Sequence, residues 1–171
     1  MNEIIATIAN LALALSVIVA LVFGIAQVRA AERDRRERLT LDTLRNYQSR
    51  EFAELINYVL SREMPKSQKE LRALPENEQV SFIQLSQQME SLGILVAEGL
   101  IDLDLVDKTL GSFVVTLWKR YETMFRAIRE EDPFTGEYFQ WLAKQIDNRM
   151  KNNPRKPFYE APTPRVTRRH H

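Results

Sequence analysis

The chemistry open to this chain is limited first by the residue types it lacks. Its 171 residues include no cysteine, and the two histidines are the last two residues, His170 and His171. A Ser–His or Cys–His nucleophile pair, a structural zinc site and a His-rich catalytic metal site are therefore not expected. Carboxylates remain, in two clusters: Asp102, Asp104 and Asp107, then Glu130, Glu131 and Asp132. Such groups can hold Mg²⁺ or Ca²⁺, or exchange protons where their surroundings separate their pKa values. The first cluster falls where a helix should begin, and acidic side chains there cap amides and favour the helix dipole. The second precedes Pro133 and reads as a solvated turn. Neither is assigned a metal or a catalytic role, and no cofactor is expected.

A third constellation is aromatic. Trp118, Tyr121 and Trp141, with Tyr138, could line a pocket between helices in which Arg126 holds an anion. The competing reading accounts for the same pattern better. Aromatics at helical spacing form core, and Arg126 can lay its stem on that core with its head in water.

Helices carry all of these residues, and the first is the most distinctive. Ile4 to Val28 contains no Asp, Glu, Lys, Arg or His, and its polar side chains are Thr7, Asn10, Ser16 and Gln27. At about 1.5 Å per residue it can cross roughly 30 Å of hydrocarbon. A cleaved signal peptide would want a basic start and a shorter apolar run, whereas this one starts Met-Asn-Glu. Residues 4–28 are expected to stay as a transmembrane anchor behind a short extracytoplasmic segment, 1–3. Downstream lie Arg29, Arg33, Arg35, Arg36 and Arg38, with no Lys or Arg upstream. The positive-inside rule then places the N-terminus outside and the domain in the cytoplasm, with these arginines at the membrane surface. Within the span, Ala12, Ser16, Ala20 and Gly24 recur every four residues, and Ala9 and Gln27 fall on the same side. A ridge of small residues lets two helix backbones approach closely in lipid.

Residues 29–38 are charged nearly all round and read as a solvated stalk, with Glu32 facing Arg36 and Asp34 facing Arg38 at helical spacing. A bundle of about four helices is expected over 39–151. Ser49 should cap a helix carrying Phe52, Leu55, Ile56, Val59 and Leu60. A connection with a turn or two of helix follows over 64–77. Pro75 then suits the first position of a helix that buries Phe82, Leu85, Met89, Leu92 and Val96 and is capped by Gly99. Asp102 or Asp104 should cap the next, whose Leu110, Val114, Leu117, Tyr121, Met124 and Ile128 form a seam widened by Trp118 and Phe125, running to Asp132. A last helix presents Tyr138, Trp141, Leu142 and Ile146. Residues 152–171 hold four prolines and no apolar period, so disorder is expected.

The net charge of +1 hides a partition. Residues 46–150 carry 12 Lys and Arg against 17 Asp and Glu, while 151–171 carry six against one. The basic tail suits an anionic lipid surface or the acidic bundle. Nucleic acid is not expected as a partner, because no basic groove interleaved with aromatics appears in the folded part.

The span with its Arg-rich exit, the run Glu90-Ser91-Leu92-Gly93-Ile94-Leu95 leading to Gly99-Leu100-Ile101, then Trp118, Arg126 and Tyr138-Phe139 resemble the domain of unknown function 4760 family. The resemblance implies a bacterial inner-membrane protein with one N-terminal span and a helical cytosolic domain, and it brings no activity or catalytic residues. The expectation is an all-α, noncatalytic, membrane-anchored interaction protein. Beyond the bilayer, its partner would be a second copy or a larger membrane protein that it serves as an accessory subunit. The alternative is a membrane-bound sensor or enzyme using the Trp118 pocket.

Overall fold

The computed structural model describes residues 2–154 and 158–160, all helix and connecting turn. Helix α1 spans Asn2–Asn46, 45 residues without a break. The apolar segment, the stalk and the first turn of the bundle are thus one rod of about 67 Å. It is long and apolar enough to cross a membrane, and none of its most apolar stretch is buried inside the protein. Along the stalk the ion pair is Arg33 with Glu37, at 3.3 Å, and not the expected Glu32 with Arg36. Arg36 turns instead toward the bundle, its guanidinium lying against Gly99.

Five further helices follow: α2 Arg50–Ser61, α3 Gln68–Ala73, α4 Glu76–Ala97, α5 Leu103–Ile128 and α6 Glu137–Asn152. Their ends follow from local chemistry. The Ser49 hydroxyl accepts from the Phe52 amide (3.1 Å), and Ser67 does the same for Glu70 (3.2 Å). Pro75 sits one place earlier than expected, as the residue before α4, its carbonyl receiving the Glu78 and Gln79 amides. At the far end of α4, Gly99 has φ +67°. The amides of Gly99 and Leu100 return to the carbonyls of Val96 and Leu95, a Schellman closure that favours glycine. Helix α5 ends at Ile128, short of Asp132, because Glu131 and Asp132 fold back onto the Ile128 carbonyl as turns.

Helix α6 packs against both α4 and α5, and α2 lies on α4. The core runs through the expected positions of α4 and α5, with Leu110 and Ile128 at its margin. On α6 the buried set is Phe139, Leu142, Ala143 and Ile146, so Tyr138 and Trp141 stand at the edge of the stripe. Phe139 takes the place in the core: its ring meets Trp118 edge-on at 5.3 Å and Tyr121 at 6.0 Å. Tyr121 donates its hydroxyl to the Phe82 carbonyl at 2.9 Å, and burial raises its pKa above the ordinary tyrosine value, against a smaller lowering by Arg120. Burial likewise pushes Tyr47 up to about 12. The chain after Asn152 is described only through Pro154 and a short turn at Phe158–Glu160. Most of the basic tail lies outside the described residues.

Candidate interaction site

The apolar part of α1 is long enough to cross a membrane, and a helix surface in lipid has no hydrophobic effect to satisfy, so shape decides what can pack on it. Ala9, Ala12, Ser16, Ala20, Gly24 and Gln27 are all exposed. The Ser16 hydroxyl donates to the Ala12 carbonyl at 2.8 Å, so this hydroxyl is satisfied within its own helix. Gly24 is the open point: a Cβ built there meets nothing within 4 Å. Beside it runs a groove of about 670 Å³ lined by Val17, Ala20, Leu21, Gly24, Ile25 and Val28, closing on Arg29 and Glu32. Ridge and groove share Ala20 and Gly24, so one face of the rod offers both shapes needed for helix packing.

Below the groove the five arginines divide. Arg29, Arg33 and Arg36 line a notch of about 380 Å³ with Glu32, Glu37 and Asp102. Arg35 and Arg38 are exposed on the rest of the circumference. Three basic and three acidic side chains make the notch balanced.

The rod is fixed to the bundle by a residue the sequence reading overlooked. Thr40 is fully buried. Its hydroxyl donates to the Arg36 carbonyl (2.8 Å) and accepts from the Asp102 amide (3.0 Å). Asp102 in turn caps α5, its carboxylate accepting from the amides of Asp104 and Leu105 at 2.7 and 3.1 Å. The start of α5 is therefore bonded to α1 about 18 Å beyond Val28.

Some of the residues that carried the family resemblance, Glu90, Gly93 and Tyr138-Phe139, meet at a second joint. Gly136, with φ +67°, precedes α6 and has no side chain to cap it. Glu90 of α4 does so from across the bundle, its oxygens accepting from the amides of Tyr138 (3.1 Å) and Phe139 (2.8 Å). One turn on, a Cβ at Gly93 would lie 2.4 Å from the Tyr138 carbonyl oxygen. Glu90, Gly93 and Tyr138-Phe139 thus form one helix contact whose approach only glycine permits.

The five residues considered for a pocket are not brought together as one. Trp118 and Tyr121 are buried among Phe125 and Phe139, and Trp141 is half-buried. Arg126 extends outward, its side chain 78% exposed, and pairs with Glu122 at 2.9 Å. The arginine over the Trp118 ring is Arg129, at 5.7 Å, held by the Thr135 carbonyl (2.7 Å) and Gln140 (2.6 Å). Members of both acidic clusters make local contacts. Asp104 pairs with Lys108 and Arg149, Asp107 lies 3.9 Å from Arg149, and Asp132 closes a turn onto Phe134 and Thr135. Among the described residues no group of three metal-ligating side chains converges.

The model of one family, a domain of unknown function (DUF4760), matches residues 13–146. No curated protein matches the chain, and no solved structure does.

Proposed function

Because the chain belongs to the DUF4760 family, whose description carries no activity, we propose from its own residues that it is a noncatalytic interaction protein, anchored in the membrane by α1. Residues 4–28 of α1 serve as the span, the bundle lies on the cytoplasmic side of a bacterial inner membrane, and the protein self-associates through the small-residue face. The observation that carries this reading is the open, small-residue face that ends at Gly24, on an apolar rod buried by nothing in its own fold. Close approach of a second backbone there gains packing that lipid tails match less well. The flanking arginines support the orientation. A ligand pocket at Trp118 has less behind it, since neighbouring rings and Arg129 occupy that site.

The test is the mass of the full-length protein purified in mild detergent. The expected result is a dimer or higher oligomer that Gly24→Leu converts to monomer, because leucine would fill the groove beside Gly24. Co-purification of a larger membrane protein, lost in Gly24→Leu, would make the chain an accessory subunit on the same face. A monomer with no companion, indifferent to that substitution, would end the proposal.

A further inference from the structure

Helix α4 carries a second surface with the properties of a contact between copies. From Gln79 to Ala97 its single charged residue is Glu90, and that carboxylate is committed to the start of α6. The outward face is Val80, Ile83, Gln84, Gln87, Ser91 and Ile94, all exposed. Val80, Ile83 and Ile94 keep 53, 41 and 39% of their surface accessible. A solvated helix in a chain with 27% charged residues is expected to place charge on its outer face. A charge-depleted patch with exposed apolar side chains matches the composition of an interface core.

We infer that this face of α4 packs against α4 of a second copy of the same chain. Three observations select that occupant. The bundle is acidic, 12 basic against 17 acidic residues over 46–150, so two copies meet without charge repulsion only through a neutral face. A two-fold interface must be self-complementary, and amides and hydroxyls satisfy this because each both donates and accepts. Gln84, Gln87 and Ser91 supply such groups. The spacing also fits: Val80, Gln87 and Ile94 repeat every seven residues, with Ile83 between them. β-Branched Val80 and Ile94 share the heptad position at which such residues favour two strands, and the polar Gln87 between them sets the register. Beside the seam, between α4 and the last turn of α1, runs a cleft of about 480 Å³ lined by Tyr47, Gln84, Gln87, Gln88 and Ser91, among others. The Gln88 side-chain oxygen is buried there and accepts no hydrogen bond within the described residues. Helix α4 runs back along α1, with Gly99 beside Arg36 and the Gln88 carbonyl accepting from the Tyr47 hydroxyl; given the membrane anchor proposed above, copies share their orientation and the two α4 helices run parallel about an axis along the membrane normal.

The natural chain has no cysteine, so a single introduced thiol can form a disulfide only with another molecule. Ile83→Cys, Gln87→Cys and Ile94→Cys are made in the full-length protein, reconstituted in lipid and oxidised, with exposed Lys119→Cys on α5 as the control. A disulfide needs Cα atoms within about 7 Å, so at least one of the three gives a disulfide-linked dimer as the main species while the control stays monomeric. Gln87→Glu, which places like charges on the axis, raises the dimer dissociation constant by about tenfold or more. Cross-linking no greater than the control at all three positions overturns the inference, as does a dimer indifferent to Gln87→Glu. The contact is independent of α1. Cross-links that survive Gly24→Leu leave the α4 contact standing when the anchor contact fails, and a Gly24→Leu-sensitive dimer without α4 cross-links does the reverse.

Discussion

Replacing Thr40 by valine removes one hydroxyl and keeps the shape of the side chain. In the native protein that hydroxyl receives the Asp102 amide at 3.0 Å, and Thr40 is buried. The Arg36 carbonyl loses little in Thr40→Val, because the helix supplies its regular partner. The Asp102 amide loses its acceptor, and valine's methyl also keeps water from replacing it. An unsatisfied, partly buried amide costs about 1–2 kcal/mol. For a bundle of about a hundred residues this lowers the melting temperature by about 5–15 °C. Thr40→Ser keeps the hydroxyl and loses one methyl, at a cost of about 1 kcal/mol or less. The assay is thermal and urea unfolding of the full-length protein in detergent, followed by tryptophan fluorescence. Trp118 and Trp141 are the chain's two tryptophans, and both lie in the bundle, so the signal reports the domain and not the span. Trypsin provides a second readout, since loosening this joint exposes the backbone at Arg36 and Arg38. A Thr40→Val protein as stable as the native one, or a Thr40→Ser protein less stable than Thr40→Val, would refute the assignment of the hydroxyl as the tie between α1 and α5.

Gly93→Ala places a methyl 2.4 Å from the Tyr138 carbonyl oxygen, a backbone atom that cannot swing aside; α4 and α6 must separate, and urea unfolding should show a loss of about 1–3 kcal/mol. Tyr47, raised to about 12, and Tyr121, raised in the same direction, hold their protons more tightly folded than unfolded. Their contribution is complete below the unfolded value near 10 and fades as pH rises toward the folded value. Denaturant midpoints followed with tyrosinate absorbance should therefore fall above pH 10. Tyr47→Phe should flatten part of that fall, and an unchanged slope would count against burial as the cause.

Local signals carried much of the fold. Ser49, Asp102 and Gly99 stand at the helix ends their side chains or backbone freedom favour, and the buried positions of α4 follow its apolar period. Long-range ties had no such signal. Thr40 meets Asp102 across 62 residues, and Glu90 meets Phe139 across 49, so neither pairing has a periodic trace. The substitution of Arg129 for Arg126 was within reach of helix geometry. Eleven residues after Trp118 is about three full turns, which puts Arg129 on the tryptophan's stripe, whereas Arg126 sits about 80° around the helix. The absence of charge along α4's outer face is equally plain in the sequence. It acquires meaning only once the structure shows that this face is uncovered.

The unbroken run of α1 from its apolar segment to Thr40 makes the stalk a gauge of both height and azimuth. Each residue of stalk adds about 1.5 Å of elevation and about 100° of rotation between the small-residue ridge and the bundle clamped at Thr40. A two-residue insertion would move the domain only about 3 Å farther from the apolar segment, yet swing the α4 face to the opposite side of the rod. Seven residues would lift it about 10 Å and return it almost to its starting bearing. The length of the charged segment therefore matters less as a distance than as a phase.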